Sequence, residues 1–393
     1  DAQSNSKIGL DYTYHFSNLD FYMNAEGNVA HWDYYTPTSR TSLGKIQVGS
    51  GRGLLWDAQA NMGIRSTSNN AFQYRIQTGY VAMGEWNQVD HIINTHIDFK
   101  WTNHTHASGI NIQVKNNFYS ETVWATDDMD EPFVHLNYIP HNRHALRVEP
   151  FYEYTNKHIR LHVGVNLNMN IGTGELLSTV ENLSFAPSPN VKFEWNMMDN
   201  IFHVYANATG HYGLGSMEEY LGYNRYLNMR QGFAWQTPRD YTPVDAQVGF
   251  KIRPAKTLLI DIYGGYAYMH SACNMQAVMQ EDALDYQLWN SQYQRWKIGA
   301  SLHYHYRDII ELNMGGNYYF YQQDPIPSMD PTEPYFQENR VKGTNIFDRP
   351  NWDAYARIEA HIDSKWSIYS DNYFAGRRLA ATSQGDMTLR PTI

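Results

Sequence analysis

Imidazole side chains recur in this sequence two residues apart, a spacing that places both on one face of an extended strand. His303 and His305 form one such pair, and His104 and His106 form another. Two imidazoles at this spacing can approach a single metal ion, but a closed site needs further ligands and the sequence nominates none. The alternative is that these histidines are hydrogen-bonded within a polar face, and the sequence favours that alternative.

Charged residues of both signs also share one side of alternating segments. The candidates for lining an enclosed polar space are Arg65, Asp98, Lys100, Arg160, His162, Lys297, His303, Arg357, Glu359 and His361. Their functional interpretation is a channel lining or a wall against which a plug domain docks. The simpler interpretation is ion pairing between neighbouring strands, each pair contributing little where it is hydrated.

Other chemistry has weaker support. Residues 127–131 are acidic and oxygen-rich loops can hold Ca²⁺, but the spacing is not that of a calcium loop, so a solvated acidic loop is favoured. No hydrolase, zincin, phosphate-loop or dinucleotide motif occurs, and we predict no enzyme activity, no cofactor and no metal site. The single cysteine, Cys273, excludes an internal disulfide. Trp235 and Trp289 lie in long polar links and are candidates for stacking against a sugar or peptide, whereas most aromatic residues are typical of an interfacial girdle.

The elements that would position these residues are long two-faced strands. Residues 158–172 place seven apolar side chains on one face and polar or glycine residues on the other, which is the pattern of a transmembrane β-strand. Similar alternation predicts strands at 8–16, 19–32, 54–65, 71–84, 90–102, 105–119, 142–155, 158–172, 185–197, 199–213, 240–253, 256–270, 293–306, 308–322, 350–363 and 364–375.

The predicted connections are of two kinds. Short turns largely alternate with long polar links at 33–53, 120–141, 214–239, 271–292 and 323–349. Outer-membrane barrels have short periplasmic turns and longer extracellular loops. The alternation therefore predicts that all long links lie on the extracellular side.

Composition agrees with a membrane barrel. Aromatic residues make up 15% of the chain and charged residues 18%, with 31 Tyr and 11 Trp, the residue types that concentrate at membrane interfaces. No run of 18 or more apolar residues is present, so no transmembrane helix is predicted. A net charge of -10 argues against a nucleic-acid partner.

The predicted fold is all-β: a large antiparallel transmembrane β-barrel in the outer membrane, with about 16–17 strands in this chain. We predict that residues 1–393 form one barrel domain. The direction of residues 8–16, and a further strand beginning at 386–393, lead us to expect a barrel incomplete at both ends that closes with about 18 strands or more. A soluble β-sandwich is disfavoured because its strands are usually shorter.

Several stretches resemble the barrel portion of TonB-dependent-receptor-like outer-membrane proteins of Bacteroidota. They are LRVEPFYEY at 146–154, PSPNVKFEW at 187–195, DYTPVDAQVGF at 240–250, DNYFAG at 371–376 and LRPTI at 389–393. The resemblance covers most of the chain but only the barrel portion; the plug domain and TonB box of full receptors have no counterpart before residue 8.

The resemblance implies uptake of a solute across the outer membrane. The partners it implies are outer-membrane lipid, together with TonB or other outer-membrane or surface proteins. An alternative from a different functional class is a plugless structural barrel that holds partner proteins in an outer-membrane complex. The sequence names neither a substrate nor a specific partner.

Overall fold

The computed structural model describes residues 3–40, 46–67, 71–85, 88–121, 143–172, 185–198, 201–213, 240–280, 283–307, 309–323, 349–361, 366–382 and 385–389. Its strands are β1 (Gln3–His15), β2 (Leu19–Arg40), β3 (Ile46–Ser66), β4 (Phe72–Glu85), β5 (Gln88–Asn103), β6 (His106–Glu121), β7 (Arg143–Thr155), β8 (Ile159–Gly172), β9 (Phe185–Met197), β10 (Phe202–Gly213), β11 (Asp240–Ala255), β12 (Leu258–Gln280), β13 (Ala283–Tyr306), β14 (Ile310–Gln323), β15 (Trp352–His361), β16 (Ser367–Ala375), β17 (Arg378–Thr382) and β18 (Gly385–Leu389). No helix in this described part of the chain is long and apolar enough to cross a membrane.

The first sixteen strands form one antiparallel sheet in which each strand pairs with the next along the chain. This order needs only hairpin connections, the simplest way to build a barrel wall. The β7–β8 turn shows how the sequence sets one of them. The Asn156 side-chain oxygen accepts hydrogen bonds from the backbone N–H groups of His158 and Ile159 at 2.8 and 2.6 Å, which closes the turn without a glycine.

All sixteen predicted strands of the sheet are confirmed, with differences at their ends. Links 33–53 and 271–292 were predicted too long: β2 continues to Arg40 opposite β3, and the β12–β13 ladder continues to Gln280 opposite Ala283. Backbone pairing does not require an apolar face, so hairpins can extend where the membrane pattern stops. The strand expected at 386–393 is β18, which pairs with β17 in a separate two-stranded sheet.

The two faces of the large sheet have opposite character. On β8, Val163 and Val165 are 42% and 44% exposed, whereas Asn166 and Asn168 are each 5% exposed. A soluble protein buries its valines in preference to its asparagines. The inversion indicates that the surroundings of the apolar face are lipid and that the polar face is enclosed.

Contacts on the polar face identify it as the concave side. The Tyr205 hydroxyl on β10 donates to the Asp261 carboxylate on β12 at 2.9 Å, and Tyr263 on β12 donates to Asn317 on β14 at 2.7 Å. Each contact crosses a whole intervening strand, about 10 Å of sheet. Side chains converge in this way on the inside of a curved sheet, so the polar face lines the lumen.

Glycines make these crossings possible. Gly249 on β11 pairs with Tyr205 on β10 and with Tyr263 on β12, and a Cβ on Gly249 would fall 2.6 Å from the Tyr205 ring. Gly299 on β13 has the same relation to Tyr263, with a clash at 2.4 Å. Each tyrosine ring therefore lies over a glycine of the next strand. This contact favours one register of strand pairing, because only glycine leaves room for the ring.

Candidate functional site

The lumen wall contains one cluster that joins two of the predicted residues, Lys100 on β5 and His162 on β8. Glu153 on β7 links them, since its carboxylate contacts the Lys100 ammonium at 2.5 Å and the His162 Nδ1 at 3.2 Å. The other imidazole nitrogen, Nε2, lies 3.2 Å from the carboxylate of Glu149. Each imidazole nitrogen of His162 therefore faces a different glutamate of β7.

Small residues on β6 let this cluster form. Lys100 pairs with Gly109, and Glu153 pairs with Ala107, so β6 presents almost no side-chain bulk between Lys100 and Glu153. The lysine therefore reaches across a full strand to the carboxylate. A Cβ on Gly109 would fall 2.5 Å from the Phe151 ring, so that ring also depends on the glycine.

Glu149 is the most enclosed charge in the cluster, with its side chain 4% exposed. It accepts hydrogen bonds from the side-chain amides of Asn111 on β6 and Asn190 on β9, in addition to the His162 contact. A carboxylate removed from water is costly unless its oxygens are saturated with donors, and three donors meet that need. Glu149 thereby ties together four consecutive strands, β6 to β9.

A second group of predicted residues lies at the other end of the sheet. Arg357 on β15 contacts Glu359 at 3.0 Å and Asp371 on β16 at 3.7 Å, and His361 lies 3.8 Å from Glu359. Arg357 is about half exposed, so these ion pairs are hydrated and each contributes little.

The remaining predicted lumen residues also have partners on adjacent strands. Arg65 pairs with Asp20, Asp98 with Arg75, Arg160 with Glu194, and His303 with Glu311, while the Lys297 ammonium lies 5.7 Å from the centre of the Tyr263 ring. This is the geometry that the simpler, ion-pairing interpretation expects. A role for these ten residues in solute passage stays a prediction.

The structure gives less support to the other candidate sites. The acidic segment 127–131 and Trp235 lie outside the described residues. Trp289 was predicted to lie in a loop, but the backbone places it on β13 opposite Asn274. The His303 and His305 rings are 6.1 Å apart, and among the described residues no group of three or more His, Cys, Asp or Glu side chains could hold a metal ion.

Sequence reasoning missed one lumen feature, a polar cavity of about 270 Å³ whose lining includes Arg147, Asn166, Asn168 and Tyr212. Arg147 shares its face of β7 with Glu149 and Glu153. Counting alternate positions from those two glutamates would have placed Arg147 on the lumen face.

Together these features define the class of protein. The chain forms a large antiparallel β-barrel wall with a lipid-facing apolar exterior and a polar, ion-paired lumen, the architecture of outer-membrane barrels.

Comparison with known proteins supports that class at the level of fold. No protein-family model and no curated protein matches the sequence. Among solved structures, the siderophore receptor PirA from Acinetobacter baumannii is similar with a TM-score of 0.64 at 9% identity, over 99% of this chain and 63% of that receptor. The FrpB iron transporter from Neisseria meningitidis gives 0.63 at 7% identity, over 99% and 63%. The alcaligin outer-membrane receptor FauA from Bordetella pertussis gives 0.55 at 8% identity, over 98% and 62%.

These neighbours are receptors and a transporter rather than enzymes, and at such low identity the likeness is one of fold. The chain spans less than two thirds of the length of each of them.

Proposed function

We propose that this chain is the barrel of an outer-membrane uptake receptor, through which a solute passes into the periplasm. The observation that carries the proposal is the match of 99% of the chain to barrels described as a siderophore receptor and an iron transporter. A polar lumen wall built over sixteen strands supports it, because a barrel of that size encloses more space than its own side chains fill.

The finer parts of the proposal come from the sequence resemblance. They are a TonB-dependent, energised mechanism, an origin in the Bacteroidota, and short turns that face the periplasm. The physical partners would be outer-membrane lipid along the apolar exterior and TonB at the periplasmic side. The lumen residues would then guide the solute or contact a plug domain.

We also propose that further strands complete the wall. Among the described strands, β1 pairs only with β2 and β16 only with β15, so each leaves one edge open. Unpaired backbone groups in hydrocarbon cost several kcal/mol each, so an open edge does not persist in a bilayer. A disulfide that forms readily in the native protein between Leu10→Cys on β1 and Ile368→Cys on β16 would overturn this proposal, because it requires the two edges to be neighbours.

The uptake function is tested in the native host. We expect deletion of the gene to reduce accumulation of iron from at least one of a panel of ⁵⁵Fe-labelled siderophore complexes, with recovery on complementation. Collapse of the proton-motive force is expected to stop the same uptake.

The alternative of a structural barrel predicts a different result. Uptake of every complex would be unchanged by deletion, and the protein would copurify at fixed stoichiometry with the same outer-membrane partners. That pair of results would overturn the uptake proposal.

A further inference from the structure

A polar patch lies on the lipid-facing side of the wall, at the end of β6 and β7 that adjoins the long link between them. Its members are Tyr80 on β4, His91 on β5, Asn116 and Phe118 on β6, and His144 on β7. We call it the rim patch.

Backbone pairing places the members of the rim patch side by side. His91 pairs with Phe118, and Asn116 pairs with His144. Ile93, two residues after His91, is 37% exposed on the apolar side of β5. Alternate residues of a strand share a face, so the rim patch continues the apolar exterior of the wall.

Each imidazole of the rim patch is held by a neighbouring side chain. The Tyr80 hydroxyl lies 2.7 Å from Nδ1 of His91, and the two rings stack with their centres 6.0 Å apart. Nδ1 of His144 donates to the Asn116 side-chain oxygen at 2.9 Å, and the Phe118 ring meets that imidazole edge-on at 5.6 Å. Both hydrogen bonds use Nδ1, so Nε2 is the nitrogen that can contact a molecule outside the wall.

The distance to the opposite rim indicates the depth of the rim patch. Trp101 follows His91 by ten residues on the same side of β5 and is 65% exposed. Ten residues span about 33 Å along a strand. A strand tilt of about 40° reduces this length to about 25 Å along the membrane normal, which is the height of the apolar band of outer-membrane barrels. His91 and Trp101 therefore lie at the two opposite head-group levels.

The chemistry of the rim patch suits a head group rather than hydrocarbon, because hydrocarbon offers no hydrogen bonds. With its proton on Nδ1, neutral His144 presents Nε2 as an acceptor, which suits a hydroxyl group. The protonated ring presents a donor, which suits a phosphate oxygen. The five residues of the patch include no carboxylate that would repel a phosphate. A phosphorylated sugar offers both hydroxyl and phosphate groups, whereas phosphocholine has no hydroxyl.

We propose that the rim patch binds the head group of a phosphorylated glycolipid in the outer leaflet, with His91 and His144 as the residues that contact it. This deepens the proposed contact with outer-membrane lipid and rests on the proposed orientation, in which the long links are extracellular. Lipid binding needs no solute, so this proposal and the uptake proposal can fail separately.

The test measures binding of monophosphoryl lipid A to the full-length protein in detergent, by native mass spectrometry. The double variant His91→Phe, His144→Phe keeps two aromatic rings in the patch and removes their nitrogens. We expect it to bind lipid A about tenfold more weakly than the wild type, because the hydrogen bonds to the head group are lost.

His203→Phe is the matched control. His203 on β10 lies on the polar lumen face, with its ring 6.0 Å from that of Tyr205, so lipid does not reach it. We expect this variant to bind lipid A as the wild type does. Phosphatidylcholine tests the head group, and we expect it to bind more weakly than lipid A and equally to the wild type and the double variant. Cold SDS gel mobility verifies that each variant is folded.

Equal affinity of the wild type and the double variant for lipid A would overturn the proposal, and so would an equal loss in His203→Phe. If phosphatidylcholine bound as tightly as lipid A and lost as much affinity in the double variant, the assignment to a glycolipid would be wrong. None of these outcomes depends on the uptake experiment.

Discussion

Replacement of Glu149 tests whether enclosed polar contacts hold the barrel wall together. Three donors face its carboxylate: Asn111 at 3.1 Å, His162 at 3.2 Å and Asn190 at 2.5 Å. Each hydrogen bond to a charged group contributes about 1.5–3 kcal/mol, but bonds within one network do not add simply. Loss of one member of a buried ion pair costs about 3–5 kcal/mol, so we expect Glu149→Ala to lower the free energy of unfolding by about that amount.

Glu194→Ala is the matched control. The Glu194 side chain is 43% exposed and lies 3.8 Å from Arg160, so its loss is expected to cost less than about 1 kcal/mol. Glu149→Gln keeps the volume and removes the charge, and we expect its stability to fall between those of the two alanine variants.

The assay is urea unfolding of the protein folded into phospholipid vesicles, followed by tryptophan fluorescence. If Glu149→Ala and Glu194→Ala unfold at the same urea concentration, the three donors do not stabilise the wall and the argument from enclosure is wrong.

Three further substitutions test other parts of the structure. Gly249→Ala places a Cβ 2.6 Å from the Tyr205 ring and is expected to lower the free energy of unfolding by about 1–3 kcal/mol. Gly264→Ala, whose Cβ would lie 3.7 Å from its nearest neighbour, is expected to be near neutral. Equal urea midpoints for the two variants would refute the argument that Gly249 makes room for the Tyr205 side chain to cross β11. Tyr205→Phe removes the hydroxyl bonded to Asp261 and is expected to cost about 1–2 kcal/mol in the same assay, with an unchanged midpoint as the contrary result. Val165→Arg places a charge on the apolar face and is expected to lower the free energy of unfolding by about 2–4 kcal/mol at mid-membrane depth. We expect the folded fraction on cold SDS gels to fall in this variant and to stay at the wild-type level in Val165→Ala. A fully folded arginine variant would contradict a lipid environment at Val165.

Much of the fold could be predicted from the sequence because most strands show a clear alternation of apolar and polar residues. In β8, apolar and polar side chains alternate over the whole strand, and the hairpin order follows once short turns are recognised. The prediction was wrong where this alternation is lost. The ends of β2 and β13 lie in segments that were predicted as polar links. A hairpin that extends beyond the membrane needs no apolar face, so its sequence does not distinguish it from a loop.

The lumen cluster was less predictable, because its contacts form between side chains that reach across an intervening strand. Lys100 and His162 were recognised as lumen residues, but their linkage through Glu153 depends on Ala107 and Gly109 being small on the strand between. The polar cavity lined by Arg147 lies beside a shift in the β10–β11 register between Thr209 and His211, which no periodicity of a single strand can show.

The most direct test of the account is a spin-label scan of both faces of the wall in vesicles, in a Cys273→Ser background. Labels at Val248 and Ile298, which are 59% and 56% exposed on the apolar face, are compared with labels at Gln247 and Ser301 on the polar face. The account predicts that lipid-soluble oxygen relaxes the labels at Val248 and Ile298, whereas a water-soluble nickel chelate relaxes those at Gln247 and Ser301. Equal accessibility of the two faces to both reagents would contradict a barrel wall between lipid and a polar lumen.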